Sequence, residues 1–208
     1  MRLLAWVLMS SLLLTAPAFA APIYRAGQPA SSNRSLWHGE ISAGYLSSSQ
    51  RLQDFTGEND SPRLKGGEVR ALWAPLSWLA VGGEFARLND VSLAPRIQDY
   101  GVQRLGGVVK LTLSPNTSPR FYVLGAVGRS KHKITYDKAF IPYQNKPPVE
   151  KETTYWTAAL GVEVDIWKII FAGVEGSWTH YSKTQFTPLY EMASKKEIAL
   201  HLRAGVRF

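Results

Sequence analysis

His180 and Ser182 stand two residues apart, and side chains at i and i+2 of a strand share one face. An imidazole beside a hydroxyl is a base beside a nucleophile, and an acid that orients the imidazole completes the parts of an acyl-hydrolase triad. Glu197, which opens the last alternating segment, is the candidate acid, although the same alternation gives it the opposite, inward parity. No GxGxxG, phosphate loop or HExxH is present, and four dispersed histidines (His38, His132, His180, His201) do not make a metal site. No metal and no cofactor is expected. The chain has no cysteine, which excludes a lipoprotein anchor, a disulfide framework and thiolate ligands.

The elements that must position these residues are strands. From Ile198 to Phe208 apolar residues alternate with charged, polar or small ones: Ile198, Leu200, Leu202, Ala204, Val206 and Phe208 on one face, His201, Arg203 and Arg207 on the other. Seven more segments read as strands: 37–48, 64–73, 78–88, 100–113, 120–133, 153–166 and 168–181, before the eighth at 196–208. Each is about ten residues or a little more, the length a tilted strand needs to cross a bilayer. Connectors alternate between short (74–77, 114–119, around Trp167) and long and polar (49–63, 89–99, 134–152, 182–195), the asymmetry of periplasmic turns and external loops. After residue 20 no apolar stretch approaches a spanning helix, so strands must make any membrane span. The fold class expected is all-β, an eight-stranded antiparallel up-and-down transmembrane barrel.

Residues 1–20 have the form of a secretory signal: Arg2, an apolar run from Leu3 to Leu14, and Ala18-Phe19-Ala20 as a small-x-small cleavage pattern. Sec-type export with cleavage near Ala20 is expected. Residues 21–36, rich in Ser, Pro, Ala and Asn, read as a disordered periplasmic lead. The barrel then occupies 37–208, and no peptidoglycan-binding domain is expected after it.

Parity sorts the charges. Glu40, Glu68, Glu84, Glu163, Asp165 and Glu175 fall inward with Arg70, Arg104, Lys110, Arg129, Arg203 and Arg207. An eight-stranded interior is about filled by side chains, and a buried charge persists only when paired or hydrated. The balance of acids and bases predicts an ion-paired plug, with Arg207 and Glu40 in water at a rim. Segment 120–133 is the hardest to orient, because Phe121 to Val127 is apolar on both faces. Trp73, Trp78, Trp167 and Phe208 fall near the short-turn end, and Trp156 and Trp178 near the long-loop end, as two interfacial belts should. A soluble barrel with an apolar lumen would reverse these faces.

The net charge of +8, with the interior balanced, must lie in loops and rims. Lys131, Lys133, Lys138, Lys146 and Lys151 cluster in or beside the third long loop, and Lys183, Lys195 and Lys196 flank the fourth. Such loops are attracted to a phosphorylated lipid surface such as lipopolysaccharide. An export signal excludes nucleic acid as the partner.

The terminal strand ending in Phe208 resembles the assembly signal of bacterial outer-membrane barrels. With Pro75-Leu76-Ser77-Trp78-Leu79, Gly125-Ala126-Val127-Gly128 and the ending Arg203-Ala204-Gly205-Val206-Arg207-Phe208, the chain resembles the OmpA-like/OmpX-like superfamily of small outer-membrane barrels. That resemblance implies an integral protein of the bacterial outer membrane, recognised by the barrel-assembly machinery. It further implies a non-enzymatic role in envelope integrity or in contact with lipopolysaccharide, host or other surfaces. The His-x-Ser spacing resembles outer-membrane lipid A 3-O-deacylases, which implies His180 as base, Ser182 as nucleophile and Glu197 as orienting acid. Lys183 departs from that family's pattern. A third reading is a small OmpW-like channel for apolar solutes, and paired luminal charges argue against it.

Overall fold

Alternation of apolar and polar residues over ten or more positions gives a strand one oily face and one polar face, and a closed sheet satisfies both without leaving an edge. The computed structural model describes residues 39–54, 59–60, 62–90, 97–137, 147–182, 190–192 and 195–208. In chain order the strands are β1 (Gly39–Ser49), β2 (Leu52–Asp54), β3 (Asn59–Asp60), β4 (Arg63–Leu76), β5 (Leu79–Asp90), β6 (Ile97–Thr112), β7 (Arg120–Tyr136), β8 (Val149–Asp165), β9 (Ile170–Tyr181), β10 (Tyr190–Met192) and β11 (Lys196–Arg207). Eight of them form a closed barrel in the order β1-β11-β9-β8-β7-β6-β5-β4, each pair antiparallel. Closure joins β1 to β11, with Glu40 opposite Arg207 and Ser49 opposite Ile198. Gly39 N donates to Phe208 O at 2.9 Å and Phe208 N donates to Gly39 O at 3.1 Å. The all-β, eight-stranded barrel expected from the pattern is the fold observed.

Two features depart from the expected layout. β7 and β8 are each 17 residues long and β6 is 16, so the strands run on into stretches read as loop, and Lys151 sits on β8 and not in the third long loop. The hairpin continues because its inner face still has Val102, Ile134 and Tyr136 to bury, while Lys131 and Lys133 stand opposite Glu152 and Glu150 on the outer face. The stretches read as loops at 49–63 and 182–195 contribute β2, β3 and β10, a separate three-stranded sheet in the order β10-β2-β3. Residues 1–20, the lead at 21–36, Trp37, His38, Lys138, Lys146 and Lys183 lie outside the described residues.

The outer surface carries a continuous apolar band. Val69, Phe85, Leu105, Leu160, Ile198, Leu200 and Leu202 are all exposed, Leu160 at 67%. Such a surface is stable against acyl chains and unstable against water. Replacing Leu160 by Arg, in the apolar run of β8 between Trp156 and Trp167, is expected to cost about 2–4 kcal/mol in equilibrium unfolding from lipid vesicles, whereas Gln103→Lys, above the band, is expected to cost about 0–1 kcal/mol.

Candidate functional site

The inward side chains meet in three tiers. At the short-turn end Lys110 Nζ donates to Glu40 Oε2 at 2.9 Å and Glu163 Oε1 at 2.5 Å. Arg207 bonds Glu163, Asp165 (2.8 Å) and Glu40 (3.3 Å), and Arg120 bonds Asp165. The ring of Phe171 lies under both cations, 4.0 Å from the Arg207 guanidinium carbon and 5.6 Å from Lys110 Nζ. Glu40 and Arg207 are buried here, 7% and 6% exposed, which corrects their expected place in rim water. Strand pairing puts them opposite each other at the seam, and each completes the other's hydrogen bonding.

The middle tier is built on Glu175. Arg70 binds it through two parallel hydrogen bonds, Nη1 to Oε2 at 2.8 Å and Nη2 to Oε1 at 2.9 Å, the fork geometry that makes guanidinium–carboxylate pairs strong. Arg203 Nη2 donates to Glu175 Oε2 at 2.6 Å, and Tyr122 Oη donates to the same oxygen at 2.9 Å. Arg70 Nε reaches Glu84, which also accepts from Tyr155 Oη. His201 bridges Glu68 (2.9 Å) and Ser177 (2.7 Å). Tyr122 can lie along the wall because position 161 is glycine: a Cβ there would meet the Tyr122 ring at 2.2 Å.

The third tier joins Arg104 to Glu197 at 2.5 Å, with Tyr181 Oη donating to Glu197 at 2.6 Å. Beside it Tyr100 Oη donates to Gln50 at 2.5 Å and lies 2.8 Å from His132 Nδ1. Beyond this tier, toward the long loops, Leu46, Leu64, Leu88, Val102, Ile134 and Tyr136 pack into an apolar plug. Sequence reasoning listed inward charges and missed this plug, although the same parity assigns its members to the lumen.

One strand was misread. Arg129 is exposed on the outer surface, and Arg120 is buried in the lumen. Both errors have one cause: apolar residues on both faces of Phe121–Val127 hide the parity of β7. The structure turns Tyr122, Leu124 and Ala126 inward, which carries Arg120 in and Arg129 out. Glu197 and His201 are inward, as their parity gives. The tryptophans Trp73, Trp78, Trp156 and Trp167 are exposed, at 42% or more, and Trp178 is half-buried against Trp156 in an edge-to-face contact at 4.6 Å.

The three residues of the hydrolase reading are separated. His180 is on the outer face, its ring 5.7 Å from Trp156 and 6.3 Å from Trp178. Ser182 Oγ shares hydrogen bonds with Thr154 Oγ1 (2.6 Å) and Thr153 Oγ1 (3.2 Å). Glu197 is 1% exposed and held inside by Arg104 and Tyr181. The barrel wall stands between the carboxylate and the imidazole it would have to orient. Outside the wall, the hydrogen bond from Lys131 Nζ at 2.6 Å holds the Glu150 carboxyl below its ordinary range and raises the lysine. Among the described residues no group of His, Cys, Asp and Glu could hold a metal ion.

No family model matches the sequence, and no curated protein matches it. Solved structures do. Neisserial surface protein A superposes with a TM-score of 0.62 at 8% identity, over 82% of this chain and 97% of that one. Ail, the attachment invasion locus protein of Yersinia pestis, superposes with a TM-score of 0.51 at 16% identity, again over 82% and 97%. Ail in complex with the heparin analogue sucrose octasulfate gives 0.50 at 18%, with the same coverage. The likeness is one of fold: this chain has the fold of the small eight-stranded outer-membrane barrels.

The middle tier is where a single deletion should be felt most. Glu175→Ala leaves Arg70 and Arg203 buried without their shared carboxylate, and is expected to cost about 3–5 kcal/mol in urea unfolding from vesicles. Glu150→Ala, which removes an exposed pair, is expected to leave the midpoint where it was.

Proposed function

We propose that this chain is a non-enzymatic barrel of the bacterial outer membrane whose lumen is closed by paired charges. It is exported by the Sec route with cleavage near Ala20, and the barrel-assembly machinery recognises its terminal strand at Phe208. Its role is in envelope integrity or surface interaction through the basic surface at its long-loop end, facing lipopolysaccharide and the surfaces of other cells. The observation that carries this reading is the filled lumen. Three tiers of hydrogen-bonded ion pairs and an apolar plug cross it, and the carboxylate–imidazole–hydroxyl chain among the described residues, Glu68–His201–Ser177, is buried within those tiers and away from the lipid face.

The same surface suits anionic sugars. The solved complex of Ail holds a sulfated heparin analogue, and the Lys and Arg side chains at the long-loop end of this barrel support an affinity of the same kind.

Two measurements test the proposal together. In planar bilayers the purified barrel is expected to give no conductance steps; regular steps would support a channel instead. Lipid A from cells with and without the protein is expected to have the same mass spectrum. Loss of an acyl chain, abolished by Ser182→Ala, would establish the deacylase reading and overturn this one.

A further inference from the structure

The outer face of β5–β8 carries a hollow in the apolar band. Outward glycines occur at several places on the barrel, Gly67, Gly83 and Gly176 among them. On the neighbouring strands β6 and β7, Gly107 and Gly125 line one common hollow. They floor a trough of about 670 Å³ walled by Val81, Val109, Val127 and Trp156. Packing within the chain does not require either glycine. A Cβ at Gly125 would meet nothing within 4 Å, and one at Gly107 only a carbonyl oxygen at 3.9 Å. The space is open to something outside the protein.

Two cations stand at its upper edge. Arg129 is two residues beyond Val127 on β7, on the same outward face, and Arg87 is two beyond Phe85 on β5. Both are exposed, and among the described residues neither is ion-paired. Counted from the short-turn end, Arg87 is the ninth residue of β5 and Arg129 the tenth of β7; Trp178 is the ninth of β9 and Trp156 the tenth of β8. The guanidinium groups therefore lie at the level of the tryptophan pair, where headgroups sit. Three carboxylates share this face: Asp99 and Glu150 line one groove with Arg87, Lys131 and Lys133, Glu150 is bonded to Lys131, and Glu152 stands opposite Lys131. Beside Arg129 the rings of Trp156, Trp178 and His180 pack together, with the Thr154 and Ser182 hydroxyls next to them.

Charge, rings and trough fit one kind of molecule. Guanidinium groups bind phosphate oxygens through forked hydrogen bonds. Aromatic faces at a wet interface take the C–H face of a sugar ring and leave its hydroxyls to polar neighbours. An apolar trough below takes an acyl chain. We infer that the outer face of β5–β8 is a binding site for one phosphorylated glycolipid of the outer leaflet, its phosphate on Arg87 and Arg129, its sugar against Trp156 and its acyl chain over Gly107 and Gly125. This inference rests on the outer-membrane reading and gives its lipid contact a place on the barrel wall, not on the loops.

Native mass spectrometry of the full barrel in detergent tests it, with bisphosphorylated lipid A, dephosphorylated lipid A and phosphatidylglycerol as separate probes. Bisphosphorylated lipid A is expected to give a one-to-one adduct, weakened about tenfold or more by the double variant Arg87→Glu/Arg129→Glu. Gly125→Leu fills the trough without touching the charges or the protein's own packing, and is expected to weaken the adduct too. Adducts of equal strength in wild type and both variants, or with the dephosphorylated probe, would overturn the site. A preference for phosphatidylglycerol would overturn its assignment to a glycolipid. Heat-dependent gel migration of each sample separates the two levels of failure. A chain with no folded band overturns the membrane-barrel reading itself, while a folded barrel that gains no adduct overturns only this site.

Discussion

A buried charge in a narrow barrel has no water to fall back on, and this constraint shapes the rest of the molecule. Eight strands leave an interior that side chains about fill, so each ionised group inside must find its counter-charge on a neighbouring strand or in the wall opposite. Arg70 crosses from β4 to Glu175 on β9, Lys110 from β6 to Glu40 on β1 and Glu163 on β8, and Arg104 from β6 to Glu197 on β11. Such pairs do not by themselves make a protein more stable than an apolar core would. They specify register: a one-residue slip of a strand turns its whole inner face outward and leaves its partners across the lumen unpaired.

That coupling explains which parts of the fold were legible. The outer face of a strand in lipid must be apolar, so parity in β8 and β11 could be read residue by residue, and closure of β1 on β11 follows from eight such strands. Where both faces are apolar, as in Phe121–Val127, the sequence holds no sign of which way the strand is turned. Arg120 and Arg129 were therefore exchanged. The contrast that could have decided it lies across the sheet: Asp165 on the inner face of β8 needs a cation, and Arg120 is the one β7 can supply. The small sheet of β2, β3 and β10 depends on pairing between segments far apart in the chain, which no local pattern reports.

The site was legible in its residue types and less so in its assembly. His180, Ser182 and Glu197 have the spacing of a hydrolase, but a strand puts neighbours on opposite sides of a wall. Inside the barrel the Glu197 carboxylate belongs to Arg104 and Tyr181. Outside, His180 belongs to the tryptophans. What the wall presents on either side is then a lumen crossed by paired charges within, and cations, rings and an open trough without.

The sided wall itself can be measured directly, because the chain contains no cysteine. Single cysteines introduced one at a time at positions 158 to 163 of β8, labelled with an environment-sensitive dye in vesicles, report which side chains meet the acyl chains. Brominated lipid should quench the label at 158, 160 and 162 and spare it at 159, 161 and 163. Equal quenching along the run, or the opposite alternation, would contradict the account.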